Sequence, residues 1–197
     1  MEYLRIRRAL SMTAGSTSDY DLNAGAPRIA TGRAKPASVL MPLIERSGEV
    51  HVILTKRAGN LKNHAGQISF PGGKADPEDR NSLATALREA QEEIGLATTQ
   101  VRILGRCAQH RTSTGFVVTP FVGVVTLPFV AQPLASEVDE VFEVPFNYLL
   151  NPKHYRIERK RIGGFNRRYY VSEFENRYIW GATARILFEL ASRMAAA

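Results

Sequence analysis

Residues 72–96 read GGKADPEDRNSLATALREAQEEIGL, and the fold is decided by how this stretch is read. Its pattern predicts a helix from about Ser82 to Ile94, with Ser82 as N-cap and Gly95 as the left-handed residue that ends it. Leu83, Leu87, Ala90 and Ile94 recur at helical spacing and make one apolar face. Glu89, Glu92 and Glu93 stand at i, i+3 and i+4, on a face roughly opposite that stripe. Crowding carboxylates there is unfavourable. A like-charged i,i+4 pair costs a few tenths of a kcal/mol, and an anion in the last turn opposes the helix dipole by roughly 0.3–1 kcal/mol. Something cationic has to compensate. Either Arg88 and another base neutralise a solvated acidic face, or the carboxylates hold a divalent ion. Magnesium suits the second reading, because it takes a few carboxylates and fills its other positions with water and phosphate oxygen. No His/Cys cluster points to zinc. The helix alone does not choose between the two.

The surroundings of the helix narrow the choice. From its Gly-Gly pair onward the stretch resembles the Nudix box, G-x5-E-x7-R-E-U-x-E-E-x-G-U, where U is a bulky apolar residue. Arg88, Glu89, Glu92, Glu93, Gly95 and Leu96 match its second half in order, while Ala90 is small for the first U. The first half departs from the pattern: Asp79 replaces the first Glu, and eight residues rather than seven separate it from Arg88. Immediately upstream, residues 53–73 read ILTKRAGNLKNHAGQISFPGG and resemble the block that precedes the box in coenzyme A diphosphatases, roughly LLTxR[SA]x3Rx3Gx3FPGG. Leu54, Thr55, Arg57, Ala58, Gly66, Phe70, Pro71, Gly72 and Gly73 fall in register. Lys62 replaces an Arg, which keeps the charge and loses the planar fork.

This resemblance implies an α/β Nudix fold, with a mixed β-sheet sandwiched between α-helices. It also implies magnesium- or manganese-dependent hydrolysis of coenzyme A to 4′-phosphopantetheine and adenosine 3′,5′-bisphosphate. Metal binding then falls to Glu89 and Glu93, with Glu92 as a third ligand or an outer base. Arg88 orients these carboxylates by charge-assisted hydrogen bonds. Arg57, Lys62, Gly72 and Gly73 are the substrate-binding candidates, the glycines because they let backbone N–H groups approach a diphosphate. A general base can come from a later loop of such proteins. Glu137, Glu140 and Glu143 lie in one acidic stretch, and Glu140 is the choice among them. Other nucleotide diphosphates (ADP-ribose, a dinucleotide, a damaged nucleoside triphosphate) are the alternative substrates, and a silent nucleotide-binding module is the non-enzymatic alternative.

Around this centre, SVLMPLI (38–44) and VHVILT (50–55) flank a turn at Gly48 and predict a hairpin. QISF (67–70), VRILGRCA (101–108) and FVVTPFVGVVTL (116–127) predict further strands, with Pro120 marking an edge or bulge. PFNYLL (145–150) suits a short helix, HYRIERKR and RRYYVSEF a hairpin about Gly163-Gly164, and residues 182–194 a closing amphipathic helix. Residues 1–36 are predicted to be a flexible lead-in with a short helix at its start, and 37–197 the folded domain.

The net charge of +7 favours anionic partners. Its sharpest source is the run from Lys153 to Arg168, where Arg159, Lys160 and Arg161 are candidates to meet the 3′-phosphate of coenzyme A. No recognition motif argues for nucleic acid, and no apolar run is long enough for a membrane span. Cys107 is the only cysteine. It fits a reducing cytoplasm and a buried structural thiol. His64 and His110 are expected in hydrogen-bonded structural roles, and Tyr169, Tyr170, Phe174 and Trp180 in packing. A small nucleotide is the expected partner, with a homodimer left open.

Overall fold

Alternation along the strand Lys35–Arg46 sets the layering. Leu40 and Ile44 join one apolar cluster, Met41 and Leu43 the other, and all four are fully buried. A strand apolar on both faces must be covered on both. The computed structural model describes residues 2–12, 15–23, 34–61, 64–162 and 165–196. In chain order they form α1 (Glu2–Ser11), β1 (Thr17–Ser18), β2 (Lys35–Arg46), β3 (Glu49–Arg57), β4 (Ile68–Ser69) and β5 (Gly72–Lys74). Next come α2 (Ser82–Ile94), β6 (Val101–Arg106), β7 (His110–Arg111), β8 (Phe116–Val125), β9 (Val138–Pro145) and α3 (Phe146–Leu149). The chain ends in β10 (Tyr155–Ile162), β11 (Phe165–Phe174), β12 (Arg177–Trp180) and α4 (Ala182–Ala196).

β2 pairs antiparallel with β3 and parallel with β8, so the main sheet is mixed. Helix α2 covers one face through Ala86, Ala90 and Ile94 against Leu40, Ile44, Ile53 and Phe121. Residues of α1, α3 and α4, among them Ile6, Phe146, Leu187 and Leu190, cover the other. A second antiparallel sheet, β10-β11-β12, packs on α4 through Tyr170 and Phe188, whose rings stack at 4.6 Å. The fold is thus the α/β sandwich that the sequence predicts.

Local differences have local causes. Asn81, not Ser82, caps α2: its side chain accepts the Ala84 N–H at 3.0 Å. The buried face of α2 is turned from the Leu83/Leu87 line toward Thr85, Ala86, Ala90, Glu93 and Ile94, because two alanines admit the helix close to β2. Pro120 sits inside β8, where its carbonyl accepts the Cys107 N–H and the ladder passes from β6 to β7. A break between partners tolerates the missing donor. Cys107 is buried, and burial pushes its thiol up to about 12, as suits an inert packing group. The tip of the β10–β11 hairpin, Gly163-Gly164, lies outside the described residues.

Part of the stretch read as lead-in carries tertiary contacts. Ile6 and Ala9 on α1 are fully buried, and Thr17-Ser18 pair with His110-Arg111. His110 is also fully buried, with Thr17 Oγ1 at 2.9 Å from Nδ1 and Asp19 Oδ1 at 2.9 Å from Nε2. Asp19 Oδ2 in turn accepts the Ser113 N–H at 2.8 Å. Burial opposes the charge on Asp19, but the His110 and Ser113 hydrogen bonds outweigh it and hold its carboxyl below the usual range. Asp19→Ala strands a buried imidazole nitrogen, so chemical denaturation is expected to show a loss of roughly 1–3 kcal/mol, with faster exchange of the Ser113 amide.

Candidate active site

β2 changes partner along its length, and this opens the site. Leu43–Arg46 pair with β3, while Ala37–Val39 pair with β5. The Gly-Gly strand is thereby held against α2. At Gly72, with φ 154°, a Cβ would come within 2.5 Å of the Ser38 carbonyl oxygen. At Gly73 a Cβ would lie 2.5 Å from the Glu89 carboxylate. Both positions are glycine because backbone or carboxylate occupies the space of a side chain.

The two inner glutamates are held differently. Glu93 is 3 % exposed; its Oε2 accepts the Gly72 N–H at 3.1 Å, and Oε1 lies 3.6 Å from Arg57 Nη1. Desolvation pushes its carboxyl up to about 7, with Gly72 and Arg57 pulling the other way and the charges of Glu89 and Glu137 adding to the rise. Glu89 is raised as well, again by burial first, against the pull of Arg88. Neither carboxylate is fully compensated.

Arg88 is the hub outside them. Its Nε and Nη2 grip Asp79 in a fork of two 3.0 Å bonds, Nη1 reaches Glu92 Oε2 at 3.0 Å, and Nη2 also meets the Lys74 carbonyl and Glu89 Oε1 at 3.1 Å. Asp79, where the sequence departs from the box, therefore closes the loop onto Arg88. That fork, partly offset by desolvation, holds Asp79 far below the usual carboxylate range. The longer loop keeps its acid in contact with the arginine.

A cleft of about 410 Å³ opens over this floor. Arg57, Gly72, Gly73, Glu89 and Glu93 line it, so the structure brings together five sequence-selected residues. Glu92 is not among them: its side chain is 54 % exposed and turned to Arg88. Arg88 lies behind Glu89 and reaches the cleft only through it. Glu140 also lies outside, bonded to Arg177 at 2.8 Å across to β12, and Glu143 pairs with Arg46 at 2.8 Å. Of the acidic stretch, Glu137 alone reaches the cleft. Lys62 lies outside the described residues. His64 lines the cleft with its Nδ1 at 2.6 Å from Gln67 Oε1.

Several lining residues escape the sequence reading. Thr112 and Thr114 come from the β7–β8 connection, Phe116 from the start of β8, and Ala182, Thr183 and Ile186 from the start of α4. Polar and apolar side chains of this kind carry no charge pattern, and only the fold places them opposite the box. Among the described residues no three His, Cys, Asp or Glu side chains are close enough to form a ready metal cage. Glu89 and Glu93 nonetheless fit a hard cation: they are oxygen donors, desolvated, and set at the floor of a cleft open to phosphate oxygens. Magnesium is commonly held by one or two carboxylates plus substrate.

A helix carrying carboxylates against a Gly-Gly strand, under a cleft in a mixed sheet between helices, is suited to hold a cation against an anionic substrate. The NUDIX domain family matches residues 34–162. The chain is 43% identical over 160 residues to the uncharacterized Nudix hydrolase NudL of Yersinia pestis, covering 80% of this chain and 79% of that protein. The NudL of Yersinia pseudotuberculosis matches to the same extent. Among solved structures, the MutT protein of Methanosarcina mazei aligns over 94% of this chain and 100% of its own at 18% identity, with a TM-score of 0.53. A NUDIX hydrolase from Alicyclobacillus acidocaldarius aligns over 61% and 83% at 21% identity, with a TM-score of 0.50. The chain belongs to the Nudix hydrolase family, and it is a hydrolase of nucleotide-linked diphosphates.

Two expectations follow from the floor. Gly73→Ala drives a methyl group into the Glu89 carboxylate, so turnover is expected to fall by about 10- to 100-fold, the range for displaced supporting groups, while circular dichroism stays native. The second concerns pH. An unfolded glutamate titrates near 4.5 and folded Glu93 near 7, so the folded state holds the extra proton between those values. Stability of the metal-free protein is therefore expected to fall as pH rises through this window, by roughly 3 kcal/mol. Thermal melts in EDTA at pH 5 and pH 8 measure it, and Glu93→Gln should flatten the decline.

Proposed function

We propose that this enzyme hydrolyses the diphosphate of coenzyme A or its derivatives, releasing 4′-phosphopantetheine and adenosine 3′,5′-bisphosphate. The observation that carries the reading is the convergence of two motifs on one cleft. Arg57, His64 and Gln67 from the coenzyme A-type block line the same cleft as Glu89 and Glu93 from the box. A generic diphosphate hydrolase has no need of that upstream spacing.

Glu89 and Glu93 would hold magnesium or manganese, with Glu137 within reach of the same space. When bound, the ion screens the diphosphate charge that otherwise repels a nucleophile and lowers the pKa of water. Arg57 orients the diphosphate oxygens, while the Gly72 N–H is spent on Glu93 and the side-chain-free Gly-Gly strand lets both carboxylates close against it. Arg88 acts as a positioning residue, holding Glu89 toward the cleft while Asp79 and Glu92 hold Arg88. Glu137 replaces Glu140 as the proposed general base. It accepts the proton of the attacking water as one P–O bond forms and the bridging P–O bond breaks, and the leaving phosphate carries off the electron pair. Burial makes the charge on Glu93 and Glu89 unfavourable, and a cation held by them would relieve it, which ties affinity for the ion to the fold of α2.

The test is a panel of coenzyme A, dephospho-coenzyme A, ADP-ribose and NADH with magnesium or manganese, with products resolved by chromatography. Coenzyme A is expected to have the highest kcat/KM and to yield the two named products. Faster turnover of ADP-ribose or NADH would overturn the substrate and leave the hydrolase. Glu93→Gln is expected to lose more than about 100-fold, beyond the cost of an outer-shell change. Glu137→Gln should lower kcat with KM little altered, whereas Glu140→Gln should leave kcat near that of the parent.

A further inference from the structure

The basic residues of the β10–β11 hairpin fall into two groups. Arg159, Lys160 and Arg161 project exposed side chains from β10, the outer strand of the small sheet, and none lines the cleft. The charge expected to meet a distal phosphate is therefore misplaced on that strand. Arg167 and Arg168, on β11, instead line a second cavity of about 70 Å³ together with Asp19, Ser113, Trp180 and Arg185. This cavity adjoins the cleft. Ser113 lies between Thr112 and Thr114, and Gly181 precedes Ala182, so the two spaces share these short backbone walls.

Charge in this second cavity is unbalanced. Arg167 has no carboxylate partner among the described residues, and its Nε is buried without a hydrogen bond. Among the described residues the Arg168 side chain has no carboxylate partner, and its backbone exchanges two 2.8 Å hydrogen bonds with the Asn23 side chain. Arg185 reaches Asp21 through Nη2 at 3.2 Å, yet its Nε is also buried and unpartnered. Asp19 is the sole carboxylate among the lining residues, and both its oxygens are taken by His110 and Ser113. Elsewhere in the fold Arg46, Arg88 and Arg177 each meet a carboxylate within 3.0 Å. Unpaired guanidinium nitrogens out of water are costly unless an anion joins them. The space has room for one tetrahedral oxyanion. Tyr169 and Trp180, edge to face at 5.2 Å, form its aromatic wall.

We propose that this cavity is an oxyanion subsite that takes a phosphate monoester carried by the substrate beyond the cleaved anhydride. The proposal rests on the reading of the adjoining cleft as the place of diphosphate hydrolysis. Arg167 and Arg185 supply the unpartnered buried donors, and the exposed Arg168 follows Arg167 on the same strand. A substrate with one phosphate outside its diphosphate then gains contacts that a plain dinucleotide lacks.

Trp180 is the only tryptophan in the chain, so its fluorescence reports on this cavity without turnover. Titrating the metal-free protein with inorganic phosphate, against sodium chloride of equal ionic strength, is expected to give a saturable change that Arg167→Gln abolishes. In parallel, the ratio of kcat/KM for coenzyme A over dephospho-coenzyme A is expected to fall by about 10- to 100-fold in Arg167→Gln. Arg168→Gln changes an exposed side chain, which guards against a folding defect, and should move both readouts the same way. A saturable phosphate signal with an unchanged ratio overturns the substrate-borne assignment and makes the ligand a free phosphate. No signal in the parent protein together with an unchanged ratio overturns the subsite itself. If neither coenzyme is hydrolysed, the functional reading fails while the phosphate titration still decides the subsite.

Discussion

Glu89 and Glu93 lie between a helix and a backbone that has no side chains to offer them. Their carboxylates are packed against Gly73 and Gly72, and among the described residues the cations paired with them are Arg57 at 3.6 Å and Arg88 at 3.1 Å. Burial raises the proton affinity of both. Such groups cost stability when ionised and alone, so the surrounding structure must over-determine their position. It does so through β2, whose N-terminal half holds β5 and whose C-terminal half anchors the face under α2. Strand, glycines and helix form one device, and the cleft is its consequence.

The arginine hub shows how a departure from a motif is absorbed. The extra residue lies between Asp79 and Arg88, and the shorter side chain of Asp79 would fall short of a partner placed for glutamate. Here the loop closes on itself, Asp76 and Asp79 exchanging backbone and side-chain hydrogen bonds of 2.9–3.0 Å, and the extra backbone delivers the carboxylate to Arg88. Loop length and side-chain length trade against each other, and the fork geometry is retained.

Much of this was legible from residues 53–96. The box glutamates, the two glycines and Arg57 come together because local rules place them: a capped helix, a left-handed Gly95 and a short strand. Where the reading fell short, the cause was tertiary. Helical periodicity alone puts Glu92 with its neighbours, but Arg88 one turn back draws it outward, and burial against β5 draws Glu89 and Glu93 inward. Glu140 and Glu137 are equivalent as letters. The register of β9 on β3 sets Glu140 opposite Lys56 and toward Arg177, while Glu137 precedes the strand and turns to the cleft. Lone polar residues such as Thr112 and Thr114 carry no signal of their own until a loop is folded over the site.

That loop links the two ends of the chain to the chemistry. Asp19 holds the Ser113 amide, and the flanking threonines line the cleft, so a segment near the N-terminus positions a wall of the site. The opposite wall begins at Ala182, where β12 gives way to α4. Both Asp19 and Ala182 fall outside the span 34–162 that matches the family, whereas Arg57, Gly72, Gly73, Glu89, Glu93 and Glu137 fall inside it. The division follows from what each part must do. Carboxylates that bind a cation and meet a diphosphate face the same chemistry in any nucleotide substrate, so they belong to the shared core. Groups that touch what lies beyond the diphosphate meet a different surface in each substrate. Here Asp19 at one end and β11, β12 and α4 at the other lie outside that span, apart from the glycine-backed floor.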